Sequence, residues 1–178
     1  MEPRPYQEYG YEMMNYMHIR SRKTINHNST DYALKELYFI TICVFQRNCL
    51  LGQILDYSIG QTALGDAVEA TINFINKRNE AATITDYIIM PNHIHMIIDL
   101  SRSIDTNVEK AYSIADIIRD FKSFTTRELN KPCSETLMPL WQRGYYDHRI
   151  RNDEELKKIK DYIKENPKRW AIDKFYIV

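Results

Sequence analysis

The stretch MPNHIHMIIDL, Met90 to Leu100, places two histidines two positions apart in a run that otherwise reads as a buried β-strand. Strand side chains alternate between faces, so His93 and His95 share one side while Ile94 and Met96 share the other. Just upstream, TITDYIIM (residues 83–90) has the β-branched and aromatic texture of a second strand. Only Pro91 and Asn92 separate the two, and both residue types suit a tight reversal. The pair therefore predicts an antiparallel hairpin with two imidazoles on one face.

Around this hairpin the other elements fall into order. LYFITICVF, from Leu37, predicts a buried strand, and a turn region containing Gly52 and Gly60 follows it. In QTALGDAVEATINFINKRN, Leu64, Val68, Ile72 and Ile75 recur every three or four residues, the period of an amphipathic helix. Beyond the hairpin, Ser113 and Asp116 form a capping-box pattern ahead of Ile114, Ile117, Ile118 and Phe121, which mark the buried face of a second helix ended at Lys131-Pro132. LWQRGYYDHRI predicts a fourth strand, with Trp141 and Tyr145 as packing residues. Asn152 then caps a last helix whose first turn holds Asp153, Glu154 and Glu155, and Pro167 stops it. Strand, helix, strand, strand, helix, strand, helix is an α+β order. It predicts a ferredoxin-like antiparallel sheet with helices packed on one face, plus a C-terminal helix.

Residues 1–33 are polar and irregular and are expected to form an N-terminal arm, leaving residues 34–178 as a single domain. The arm's tyrosines and its basic group Arg20, Arg22 and Lys23 are suited to a nucleic-acid strand or to a loosely packed extension. No run approaches the roughly 18 to 20 apolar residues of a membrane span, and the N-terminus lacks a signal-peptide pattern, so a cytoplasmic protein is expected. Three cysteines, Cys43, Cys49 and Cys133, fit neither a disulfide framework nor a cysteine-rich zinc site. The net charge is zero, which argues against nucleic-acid binding through overall charge, although basic residues gather in the C-terminal third.

Two imidazoles close together suit a shared metal ion, but two ligands do not complete a site. The last helix offers more. With Leu156, Ile159 and Ile163 as its buried stripe, Tyr162 and Asn166 stand one turn apart on a neighbouring flank. An Asn carbonyl is a hard oxygen ligand of the kind Mg²⁺ or Mn²⁺ accepts, and a phenol can act as a covalent nucleophile. The bland alternatives are a packing tyrosine and a helix C-cap asparagine. Imidazoles alone would instead favour Zn²⁺, Ni²⁺ or Cu²⁺.

MPNHIHMII, followed in order by ADIIRDFKS, LWQRGYYDHRIR and KDYIKENPKRW, resembles the REP-associated tyrosine transposases, a branch of the single-tyrosine HUH transposases of small insertion sequences. The similarity runs from about Leu37 to Trp170. It implies metal ligation by His93, His95 and Asn166, with Mg²⁺ or Mn²⁺ as the ion, and nucleophilic attack by Tyr162 on DNA. It further implies cleavage and rejoining of single-stranded DNA near a palindromic hairpin through a 5′-phosphotyrosine, by a monomer or by a homodimer that pairs histidines of one chain with the helix of the other. Arg119, Lys122, Arg143, Arg149 and Arg151 are candidate phosphate contacts, and Trp141, Tyr145 and Tyr146 candidate stacking residues, with packing or solubility as the alternative for each. His148 is a further candidate near the DNA or the metal, or a surface strand histidine. Phe124 departs from relatives, which often carry polar residues there. Two competing readings are a non-catalytic hairpin-binding protein of the same fold and a zinc hydrolase built on His93 and His95.

Overall fold

The computed structural model describes residues 36–79, 82–100, 113–131 and 138–177. The expected N-terminal arm, residues 1–33, lies outside them. Four strands form one antiparallel sheet: β1 (Leu37–Cys43), β4 (Thr83–Met90), β5 (His93–Asp99) and β6 (Tyr146–Arg149), in the order β4-β5-β1-β6. Among the described residues three α-helices accompany it: α1 (Ala63–Arg78), α2 (Ile114–Asn130) and α3 (Asp153–Glu165). The first of the two β-α-β crossovers connects β1 to β4 through α1, the second β5 to β6 through α2. This is the predicted α+β, ferredoxin-like arrangement.

Alternation along the strands sorts residues into two layers. Tyr38, Ile40 and Ile42 of β1 and Ile94, Met96 and Ile98 of β5 join Val68, Ile72 and Ile75 of α1 and Ile117, Ile118 and Phe121 of α2 in one apolar cluster. The opposite face carries Phe39, Thr41, His93 and His95, in register as Thr41 opposite His95 and Cys43 opposite His93. Helix α3 covers that second face, where Ile159 and Ile163 are buried and Phe39 meets Tyr162 edge-on at 6.1 Å between ring centroids. An ion pair from Lys160 to Asp86 of β4 (3.2 Å) and a hydrogen-bond contact between His148 of β6 and Glu155 (2.7 Å) tie α3 to both sides of the sheet.

The helix ends follow the sequence rules. Ser113 and Asp116 close a capping box on α2, and Asn152 accepts from the Glu155 N–H to cap α3. At its far end α3 tightens into a 3-10 segment, Asn166–Ile172, with Pro167 at its start. That turn of backbone brings the residues after it back toward the sheet.

One element departs from expectation. The region of Gly52 and Gly60 is a hairpin, β2 (Gly52–Leu55) against β3 (Ser58–Gln61). Its turn residues, Asp56 and Tyr57, have φ of 47° and 62°. Two consecutive positive φ values mark a type I′ reversal, which usually announces itself as Asn-Gly. Here the usual signal is missing, and the strands are short. Gly65 in the first turn of α1 sits so close to the Leu51 carbonyl that a Cβ there would collide with its oxygen. The close approach requires glycine.

Candidate active site

On the α3-covered face, β5 delivers His93 and His95 side by side, both with 0% relative exposure. Their Nε2 atoms lie 3.1 Å apart. Each ring is anchored through its other nitrogen. His93 Nδ1 meets Asn92 Oδ1 at 2.9 Å, and His95 Nδ1 meets Thr41 Oγ1 at 2.8 Å.

The Asn92 contact fixes a tautomer. Asn92 is fully buried, and its Nδ2 donates to the carbonyls of Arg47 (3.1 Å) and Phe175 (2.7 Å). Its Oδ1 can therefore only accept, so His93 carries its proton on Nδ1 and turns the lone pair of Nε2 toward His95. His95 has two choices. It can donate from Nε2 to His93, or it can carry the proton on Nδ1, facing Thr41, so that two lone pairs address one space. A cation satisfies the second arrangement.

Burial keeps both rings neutral. It lowers the pKa of His95 to about 3, with the charge of Lys174 acting in the same direction. His93 is held well below its ordinary value by burial, then by His95, Lys174 and Arg47. Neutral imidazole is the form that ligates metals.

Helix α3 brings Tyr162 to this pair and ends at Asn166, one turn further on. Tyr162 Oη stands 3.3 Å from His95 Nε2, with the two rings packed edge to face. Burial pushes the phenol pKa above its ordinary value, Asp173 adds to the rise, and Asn166 and Arg169 offset part of it. Asn166 has 0% relative exposure, and neither Oδ1 nor Nδ2 of its amide makes a hydrogen bond that meets normal geometry. A buried amide left in that state is costly, and a ligand for its oxygen would relieve it.

A divalent cation fits this donor set. Octahedral ligands at roughly 2.1 Å from an ion are about 3.0 Å apart when adjacent, close to the separation of the two Nε2 atoms. Asp173, just past the 3-10 segment, adds a carboxylate: ligand atoms of His93, His95 and Asp173 all lie within 4.8 Å of one another.

The other candidates are placed elsewhere. Arg119 is exposed on α2 and pairs with Asp116 (2.7 Å) and Asp120 (3.2 Å). Lys122 donates to the carbonyls of Gln142 and Gly144, joining α2 to the loop before β6, and burial lowers its pKa to about 8. Arg149 lies opposite Tyr38 in the β1–β6 register, on the sheet face away from the histidines. Arg143 and Arg151 are exposed. Trp141 is 6% exposed, and its Nε1 donates to Thr125 Oγ1. Tyr145 packs on the core, and Tyr146 lies edge-on to Phe39 at 6.5 Å. His148 faces Glu155 rather than the histidine pair. Phe124 packs edge-on against Phe74 of α1.

Sequence reasoning missed Asp173, Asn92 and Thr41 as parts of this cluster. Thr41 could have been found from strand pairing alone, since any β1–β5 register that aligns the strand faces sets a β1 side chain against His95. Asp173 carried no such signal, because it follows an irregular tail beyond Pro167.

Fold and cluster together define a class: an α+β protein that presents a buried phenol beside a candidate cation site on an antiparallel sheet. The chain belongs to the IS200-like transposase family, which matches residues 57–166. An uncharacterised Haemophilus influenzae protein is 29% identical over 173 residues, covering 89% of this chain and 95% of its own length. A REP-associated tyrosine transposase of the same organism is 33% identical over 87 residues, 44% of this chain and 46% of that protein. Among solved structures, a REP-associated tyrosine transposase bound to a REP hairpin shares the fold at a TM-score of 0.55 and 22% identity, over 81% of this chain and 74% of the other.

Proposed function

We propose that this transposase cleaves and rejoins single-stranded DNA beside a hairpin, with Tyr162 as nucleophile and His93, His95 and Asn166 as ligands of Mg²⁺ or Mn²⁺. The observation that carries this reading is the 3.3 Å approach of Tyr162 Oη to His95 Nε2, at the edge of the paired imidazoles. A phenol this deeply buried is a poor nucleophile unaided. A bound divalent ion would neutralise charge on the scissile phosphate and favour the phenolate.

The residues then divide the work. Tyr162 Oη attacks phosphorus as the bond to the 3′ oxygen breaks, and the phenolic proton ends on that oxygen. The product is a 5′-phosphotyrosine and a free 3′-hydroxyl. Reversal by the same or another 3′-hydroxyl reseals a strand, so the bond energy is conserved without ATP. Asn92 and Thr41 hold the two imidazoles in place by their Nδ1 atoms. Arg119, Lys122, Arg143, Arg149 and Arg151 remain proposed contacts to the DNA backbone.

Incubation with Mn²⁺ and 3′-labelled hairpin DNA taken from the flanks of the gene tests this on a denaturing gel. Labelled DNA should move with the protein, and Tyr162→Phe should remove that band. Binding without any adduct would favour a hairpin-binding protein. Hydrolysed product without an adduct, together with stoichiometric zinc, would favour the hydrolase.

A further inference from the structure

Two hydrogen bonds tie the segment after α3 to the rest of the chain, one of them to the Asn92 amide beside His93, and a third folds the segment on itself. Phe175 O accepts from Asn92 Nδ2 (2.7 Å), Lys174 O accepts from Arg47 Nη1 (3.0 Å), and Phe175 N–H donates to Asp173 Oδ1 (2.7 Å). The Phe175 ring is buried with its centroid 4.5 Å from that of His93, and the Arg47 guanidinium lies over the Phe175 ring at 5.2 Å from its centroid. The carboxylate of Asp173 is thus carried to the imidazole pair by a built contact, anchored through the same Asn92 amide that orients His93.

We propose that Asp173 is an anionic ligand of the cation held by His93, His95 and Asn166, and that it gives the site its preference for a hard ion such as Mn²⁺ or Mg²⁺. The inference rests on the functional reading above and deepens it. Two imidazoles and an amide form a neutral set, which holds an oxygen-seeking ion weakly and favours softer metals. One carboxylate changes that balance, because hard cations take their affinity from charged oxygen ligands. The spacing allows it: adjacent octahedral ligands are about 3.0 Å apart and opposite ones about 4.2 Å, and the three ligand atoms lie within 4.8 Å. A shift of well under 1 Å would bring these three atoms within reach of one ion.

The ligand role also accounts for the location of a carboxylate against two fully buried rings and a phenol. Metal-free, its charge works against ionisation of Tyr162. Shared with a cation, that charge is neutralised.

The test is Mn²⁺ binding by the full chain, followed through the EPR signal of the free ion, for the wild type, His93→Ala and Asp173→Asn. Asparagine keeps the acceptor for the Phe175 N–H and removes only the charge. Mn²⁺ affinity should fall at least about tenfold in Asp173→Asn, while Zn²⁺ affinity falls less. Equal Mn²⁺ affinity in Asp173→Asn and wild type overturns the inference. If His93→Ala also binds Mn²⁺ as the wild type does, the metal site of the functional reading fails with it. Should Asp173→Asn not fold, pulsed EPR of wild-type protein labelled with ¹³C-carboxylate aspartate decides: a strong ¹³C coupling to Mn²⁺ supports the ligand, and its absence overturns it.

Discussion

In the proposed site Thr41 and Asn92 act at one remove, one through each imidazole. Thr41→Val preserves shape but leaves His95 Nδ1 without its 2.8 Å partner. Mn²⁺ affinity is expected to fall by roughly tenfold, and the unpaired buried ring nitrogen to cost about 1 to 3 kcal/mol of stability, as titration and melting of the same variant would show. The buried rings also set a pH dependence. His95 has a folded pKa near 3 against an ordinary value of 6.5, and His93 is displaced the same way. Below about pH 6.5 the unfolded chain takes up protons that these folded rings refuse, so stability is present above that pH and is lost as pH falls toward the folded values. Each ring contributes up to about 1.4 kcal/mol per pH unit, and a His95→Gln variant should show a shallower loss in acid denaturation of the metal-free protein. At this scale the sequence was informative where period and type coincided. The HxH spacing put two imidazoles on one face, and the turn of a helix aligned Tyr162 with Asn166. The amide of Asn92 read only as a turn residue, because two of its three hydrogen bonds go to partners distant in sequence, Arg47 and Phe175.

Helix α3 is the element that brings Tyr162 to the histidine pair and so carries the proposed reaction site. Its start depends on Asn152 accepting from the Glu155 N–H at 2.8 Å, with three acids in the first turn. Asn152→Ala should cost about 1 kcal/mol, read as a loss of about 2 to 4 °C in melting temperature for a chain of this size. Caps and helical periods act locally, so both α2 and α3 were legible from residue patterns. The β2–β3 hairpin was not, since Asp56 and Tyr57 supply the positive φ values without glycine. Replacing that pair by Asn-Gly should relieve the strain and raise the melting temperature.

Across the described residues, the two crossovers leave one sheet face for the apolar core and the other for His93, His95 and the proposed chemistry. Tyr162 reaches His95 within a single chain, so a site assembled in cis is expected. Mixing Tyr162→Phe with His95→Ala protein should then yield no DNA adduct, whereas a swapped homodimer would restore one. The sheet order was foreseeable from element order because few topologies accommodate it. The return of the tail through Asp173 to Phe175 was not, being fixed by tertiary contacts alone. The central claim is that one phenol among 13 tyrosines attacks the DNA. Mass spectrometry of the proteolysed covalent complex, trapped with Mn²⁺ and hairpin DNA, tests it most directly: the nucleotide is predicted on the peptide containing Tyr162, and its appearance on any other tyrosine would contradict the account.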